Sequence, residues 1–580
     1  MSPANGEFGA NGRVVIVGAS LAGLRAAEAL REGGFQGRLT LVGDEPYEPY
    51  DRPPLSKQVL TGQAAPESIA LPRASGLDAE WRLGTPAVGL DLAGKRVRLA
   101  DGDELGFDRV LIATGTRARP WPNPEEAALV GVVTVRGRDD TVRLRHELAA
   151  GPRRVLVIGA GFTGSEIASA CRGLGLPVTV TERAATPLAG ALGGTIGAVA
   201  ARLQREYGVD LRCGVSVTSL EGDDAGHVRR AHLDDGTTLE IDVAVVALGA
   251  QRNTEWLRNS GLGAGPRGVA CDAGCRVFDM YGIVTDDIFA AGDVARSPHP
   301  LFGFEFLALE HWSNAIEQAE VAAHNMLHAE SERRPYLHVP TFWSFQFGVS
   351  IKSAGVPPLG DQVVIVQGSA DEPRFVALYG HHGRTVAAVT FDQGKWLEFY
   401  VNQIEGAAPF PPQYRNVAQP ESRQVLQAEF PDPALPTEGP MIVRTGHSPT
   451  ERAWTLMPAR GGGDDRAGDD QSTRRTGPDS RLRQPCRPLP AVRATTQVAG
   501  LPRAERQLRC QHVPRDLGPD ARPADWRRGV WRQCRRRRRR RGAWQLHRNG
   551  SPGARSPPAS CHEPLRADRS GATRHGAHRQ

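Results

Sequence analysis

One pattern limits this chain more than any other feature. Arg13-Val14-Val15-Ile16-Val17, a β-branched run of buried-strand length, ends in Gly18-Ala19-Ser20-Leu21-Ala22-Gly23. Leu24–Arg31 continues with helix-forming Ala, Leu, Glu and Arg, then Leu39-Thr40-Leu41-Val42 runs into Gly43-Asp44-Glu45. Strand, glycine turn, helix, strand and acid, in that order, predict a dinucleotide site. The turn lets backbone approach a pyrophosphate, the helix N-terminus supplies oriented N–H groups, and the acid accepts hydrogen bonds from a ribose. Ser20 stands where the second glycine is usual; it adds a small side chain and a hydroxyl able to bond a phosphate oxygen, a change the site should tolerate.

The pattern recurs. Arg154-Val155-Leu156-Val157-Ile158 leads into Gly159-Ala160-Gly161-Phe162-Thr163-Gly164, with all three glycines kept. A helix through Ile167 and Ala170 follows, then the strand Val178–Thr181, ending at Glu182. Two fingerprints predict two nucleotides, one buried prosthetic group and one exchanging substrate. Hydrogen bonds from the 2′ and 3′ ribose hydroxyls to Glu182 would contribute about 1.5–3 kcal/mol, and a 2′-phosphate would be repelled. That favours NADH, while Arg183 leaves NADPH open.

Pro46–Lys57 is proline-stiffened. Arg52 and Lys57 there are either solvated residues of a connector or aimed at a cofactor's ring and phosphates. Val97–Leu99 and Arg109–Ala113 read as strands about an Asp101-Gly102 turn, and Ala113-Thr114-Gly115 ends the second at the edge where ligands of such sheets sit. Ile241–Ala250 is a buried strand running through Gly249, and Asp286–Val294 another, carrying Gly292-Asp293. A long amphipathic helix begins at Glu310-His311-Trp312. Beyond Pro340 the spacing shifts to short strands at 342–347, 362–366, 375–378 and 386–391 and a helix at 395–404, a small α+β domain.

The charge is unevenly spread. Residues 461–580 hold 28 Arg against 11 Asp and Glu, so this stretch is +17 and residues 1–460 are −11 within an overall +6. That stretch has no Ile, Phe, Tyr, Lys or Met and carries the run Arg535–Arg541. It cannot bury enough apolar surface to offset its ordering entropy, so a disordered tail is expected. The favoured reading is a frameshifted or misassigned end of a GC-rich gene, since the chain has 4 Lys against 67 Arg; the alternative is a nucleic-acid- or membrane-binding arm. All eight cysteines lie at or beyond Cys171 with no C-x-x-C, which argues against a metal site and suits a reducing cytoplasm. No signal peptide or membrane span is expected.

These motifs resemble the FAD-dependent ferredoxin reductases of the pyridine nucleotide–disulfide reductase superfamily, which serve oxygenases and bacterial cytochromes P450. The resemblance covers about residues 12–410. It rests on the two glycine motifs, Arg52-Pro53-Pro54-Leu55-Ser56-Lys57, Ala113-Thr114-Gly115, Ala291-Gly292-Asp293-Val294, Glu310-His311-Trp312 and Phe342-Trp343-Ser344. It implies Asp44 at the adenosine ribose of FAD, Arg52 and Lys57 near flavin and phosphate, and Val88 and Arg136 as further FAD contacts. It also implies Asp293 at the ribityl and phosphate side, Trp312 at the flavin ring, Glu166 beside the nicotinamide and Trp343 near the ring face. Where the family has an acid after Trp-Ser, this chain has Phe345, which puts a polar role of that loop in doubt.

The expected fold is α/β: two Rossmann-like domains for FAD (12–120 and 249–335) and NAD (121–248), a small α+β domain (336–410), a linker (411–460) and the basic tail (461–580). The redox cysteines of the disulfide reductases would lie near 47–57, where this chain has none. Electrons must then leave from the flavin itself, so the expected activity is transfer from NADH through FAD to an iron–sulfur ferredoxin serving an oxygenase or cytochrome P450. An NADH oxidase, a rubredoxin-type reductase, or a nucleic-acid-binding flavoprotein resembling apoptosis-inducing factor are the alternatives. Neither a membrane nor a nucleic acid is the expected partner, and the oligomeric state is left open.

Overall fold

The computed structural model describes residues 12–413 and 424–431 throughout, and the paired strands Met441–Thr445 and Ala453–Met457 by backbone alone. The Arg-rich stretch 461–580 lies outside the described residues, and with it the reading of a disordered tail.

Val14–Val17 are buried on both faces, which suits the centre of a parallel sheet. The strand Arg13–Val17 pairs in parallel with Arg38–Val42 on one side, Arg13 opposite Arg38, and with Arg109–Ile112 on the other. The chain returns to this sheet much later, when Val284–Ala290 pairs in parallel with Arg109–Ile112. Glu80–Arg82 and Arg276–Phe278 complete six strands. The helix Leu21–Glu32 covers the sheet with Trp312–Leu327 beside it. Ala26, Ala27, Ala319, Ala322 and Ala323 keep side chains short in the core these helices share.

The second sheet is parallel throughout, in the order Asp210–Cys213, Val178–Glu182, Val155–Ile158, Val243–Val246, Val132–Thr134. The third is antiparallel: Thr341–Gln346, Val349–Gly355, Arg384–Phe391, Arg374–His381, Gln362–Ser369, Val425–Gln427.

Local expectations fail at three points. The Asp101-Gly102 turn joins Arg96–Leu99 to Glu104–Gly106, not to Arg109–Ile112, which enters the large sheet instead. Val349–Gly355 is a strand hidden from pattern reading because Lys352 and Ser353 interrupt its apolar run. Val425–Gln427, within the stretch read as linker, is an edge strand of the third sheet. No helix among the described residues is long and apolar enough to cross a membrane.

Candidate functional site

A cavity of about 1130 Å³ opens at the carboxyl ends of the parallel strands of the first two sheets, the edge where such sheets bind ligands. Small-molecule sites usually enclose about 300–1,000 Å³, and this space lies just above that range. Its wall includes Gly18, Ser20, Leu21, Ala22, Asp44, Arg52, Lys57, Ala113, Thr114, Gly115 and Arg136. Gly161, Phe162, Thr163, Glu166, Gly249, Gly292, Asp293, Glu310, His311, Trp312 and Trp343 complete the expected residues brought together there.

The two glycine turns are built alike. Gly18 and Gly159 have φ of +119° and +102°, and a Cβ on either would stand 2.1 Å from Ala113 O or 2.5 Å from Ala247 O. Gly23 and Gly164 do not line the cavity; each lets its helix press on the turn, where a Cβ would meet Gly18 O at 1.9 Å and Gly159 O at 2.0 Å. At Gly161, where the first turn has Ser20, an added Cβ meets nothing within 4 Å. The open side of that position explains why Ser20 fits, and its hydroxyl makes no capping hydrogen bond to its own helix.

Glu182 and Arg183 stand outside the cavity wall. Glu182 Oε2 accepts from Ala160 N at 2.8 Å and Oε1 from Ala184 N at 2.8 Å, so the acid braces the second glycine turn from the end of its strand. Arg183 is exposed. Val88 is 53% exposed on the strand Ala87–Asp91 and does not line the cavity.

The polar wall is ordered through its own hydrogen bonds. Arg52 reaches Glu45 Oε1 at 2.7 Å and the Tyr50 hydroxyl and Arg136 carbonyl at 3.0 Å each. Arg136 donates to Asp293 Oδ2 at 2.7 Å, and Thr116 Oγ1 to the same oxygen at 3.3 Å. Glu310, exposed at the cavity mouth, accepts from Arg252 at 2.9 Å.

At the junction of the three sheets lies Glu166. Its Oε2 accepts from Lys57 Nζ and, at 2.5 Å, from Ser56 Oγ; its Oε1 accepts from Ser344 Oγ at 2.6 Å. Ser344 and Ser56 were not singled out from sequence, although both sit inside quoted motifs. Trp312 Nε1 donates to Asp51 Oδ1 at 3.0 Å, and its ring meets Trp343 edge-on at 5.6 Å. Phe345, at the position of the missing acid, is 54% exposed and outside the cavity wall.

These residues fit a flavin dinucleotide. Each turn is kept tight by glycines that admit no Cβ, at Gly18 and Gly23 in the first and Gly159 and Gly164 in the second, and His311 offers a buried Nδ1 with no protein partner at the cavity wall. Burial holds the His311 imidazole down at about 4, so it is neutral at physiological pH.

Comparison with known proteins agrees with this geometry. Residues 12–319 match the family model described as pyridine nucleotide-disulphide oxidoreductase, and residues 341–422 match the reductase C-terminal model. The chain is 36% identical over 403 residues to the ferredoxin–NAD(+) reductase component of the anthranilate 1,2-dioxygenase system of Burkholderia cepacia, covering 69% of this chain and 96% of that one. It is 35% identical to rhodocoxin reductase of Rhodococcus erythropolis, over 62% of this chain and 82% of the relative. Among solved structures, the covalent putidaredoxin reductase–putidaredoxin complex is similar with a TM-score of 0.65 at 30% identity, over 69% of this chain and 94% of that one. The chain belongs to the pyridine nucleotide-disulphide oxidoreductase family.

Proposed function

We propose that this protein takes electrons from NADH and passes them, through FAD, to an iron–sulfur ferredoxin that feeds an oxygenase or a cytochrome P450. The observation that carries this reading is the lack of sulfur at the cavity. The chain has no cysteine before Cys171, and the cysteines among the described residues, Cys171, Cys213, Cys271 and Cys275, all lie away from the cavity wall. Among the described residues none at the cavity could form a thiol relay of the disulfide-reductase kind. Bound FAD would supply the conversion of a two-electron donor into single electrons.

The chain's own residues bind and orient. Gly18–Gly23 and Asp44 would hold the FAD pyrophosphate and ribose, with Arg136 and Asp293 along the ribityl side. Gly161–Thr163 would receive the NADH pyrophosphate, and Glu182 its ribose. Trp312 and Trp343 wall the space for the ring, and the Lys57–Glu166 pair fixes the approach of the nicotinamide. These roles assign the domains: 12–120 with 249–335 to FAD, 121–248 to NAD, and the third sheet to the reductase domain. The relatives named for dioxygenase and rhodocoxin systems favour an oxygenase or P450 as the final acceptor. The free thiols, with Cys171 pushed up to about 12 by burial, suit the cytoplasm.

The test uses the full chain loaded with FAD. NADH-dependent cytochrome c reduction should rise at least about tenfold when a [2Fe–2S] ferredoxin is added. Oxygen consumption as fast without any protein acceptor would identify an oxidase instead.

A further inference from the structure

The helix Ala189–Glu206 is broken at Gly193, whose φ of +75° and ψ of 163° are not helical. The turn before the break faces the cavity through Gly190 and Ala191, beside Gly161–Thr163. Its start is fixed by Leu188 N, which donates to Ala160 O of the second glycine turn at 2.9 Å.

A break in a helix leaves backbone groups without helical partners, and buried ones must be satisfied elsewhere. Here the partners come from the third sheet. Gly194 N donates to Glu429 O at 2.9 Å, and Leu192 O accepts from the buried Tyr379 hydroxyl at 2.6 Å. Thr195 Oγ1 adds a bond to Gln427 O at 2.6 Å. The approach is close enough that a Cβ on Gly193 would stand 2.0 Å from Ala428 O, and Ala428 is fully buried. The segment that reaches across is itself tied to the sheet: Val425–Gln427 pairs with Gln362–Val364, and Ala428 N donates to Asp361 O at 3.0 Å.

We propose that Tyr379 and the 425–429 segment are positioning elements for the pyridine nucleotide. They hold the turn Ala189–Leu192 against the second glycine turn, so the third sheet contributes to NADH affinity without touching the nucleotide. This rests on the reading that NADH binds at Gly161–Thr163. It predicts that loosening the contact weakens nucleotide binding and leaves FAD in place, because the residues that line the FAD side are untouched.

The test compares Tyr379→Phe, Thr195→Val and Gly193→Ala with the parent in the full-length, FAD-loaded protein. Calorimetry with NAD+ and steady-state kinetics with NADH are the readouts, with amide exchange over residues 188–195. The expected result for Tyr379→Phe is a Kd for NAD+ and a KM for NADH raised about tenfold, with kcat within about twofold, FAD content unchanged and faster exchange at Gly194. Thr195→Val should move the same way by less, which keeps the test open if Gly193→Ala does not fold. Faster exchange with unchanged Kd and KM would make the contact merely structural and overturn the proposal, as would unchanged exchange. Failure of the parent itself to bind NAD+ would instead remove the nucleotide reading on which the proposal stands.

Discussion

Lys57 and Glu166, far apart in sequence, form a partly buried ion pair where the loop after the first fingerprint meets the helix of the second. Ser56 and Ser344 donate to the same carboxylate, so one side chain joins segments from all three sheets. Removing one partner of such a pair leaves the other as an uncompensated buried charge, which costs about 3–5 kcal/mol. Glu166→Ala should therefore lower the unfolding free energy by about 3 kcal/mol in urea titration. It should also slow flavin reduction by NADH at least about tenfold in stopped flow, because the nicotinamide side loses its anchor. Glu166→Gln keeps a carbonyl acceptor for the serines and should retain more of both.

Glu182 braces the second glycine turn from outside the cavity wall, and the proposed reading brings the NADH ribose to the same carboxylate. Its loss removes acceptors from Ala160 N and Ala184 N and from the ribose hydroxyls. Glu182→Ala should raise the KM for NADH about tenfold or more, the factor for one lost bond of about 1.4 kcal/mol. The check is steady-state kinetics with a saturating acceptor. An unchanged KM would place the ribose elsewhere.

Much of this site is local in sequence, and that part is legible. Each glycine turn, its strand and its helix lie within one stretch, so spacing alone locates Gly18–Gly23 and Gly159–Gly164. The junction at Glu166 is not, because Ser56, Glu166 and Ser344 carry no shared pattern and meet only through the tertiary fold. Turn chemistry marks Asp101-Gly102 but does not say which strand pairs across it, hence the misread hairpin. Val425–Gln427 is exposed at every position, so no apolar run announces it as a strand. Val88 is implied by resemblance alone; it is exposed where a register shift between Ala87 and Gly89 interrupts the strand, whereas Leu90 is buried.

Two substitutions in the first glycine turn should behave oppositely. Gly18→Ala puts a Cβ 2.1 Å from the Ala113 carbonyl at a φ of +119°, so backbone must move where phosphate would be cradled. That variant should be purified without FAD, as read from its visible spectrum. Ser20→Gly restores the usual residue at a position whose counterpart has open space, and should keep its FAD content within about twofold of the parent. Loss of FAD from Ser20→Gly would assign the serine hydroxyl a binding role larger than one ordinary hydrogen bond.

Acid sensitivity should begin with a histidine rather than a carboxylate. His299 is buried against Phe302 and Tyr336, its Nε2 lies 3.1 Å from the His338 carbonyl, and burial lowers its pKa to about 4. The unfolded chain takes up this proton near pH 6.5 while the folded protein resists it until about 4, so stability is full above 6.5 and falls as pH drops through that window. Carboxylates held below their usual range by arginines, such as Asp108 by Arg13 and Glu80 by Arg38, lose their contribution only as pH falls below about 4. Between pH 7 and 5 the imidazole effect therefore dominates, and for His299 it amounts to about 2 kcal/mol. Urea titrations at the two pH values should show a loss in the parent that exceeds the loss in His299→Leu by about 2 kcal/mol, the remainder including His311. An equal loss in both would assign the acid sensitivity to other groups.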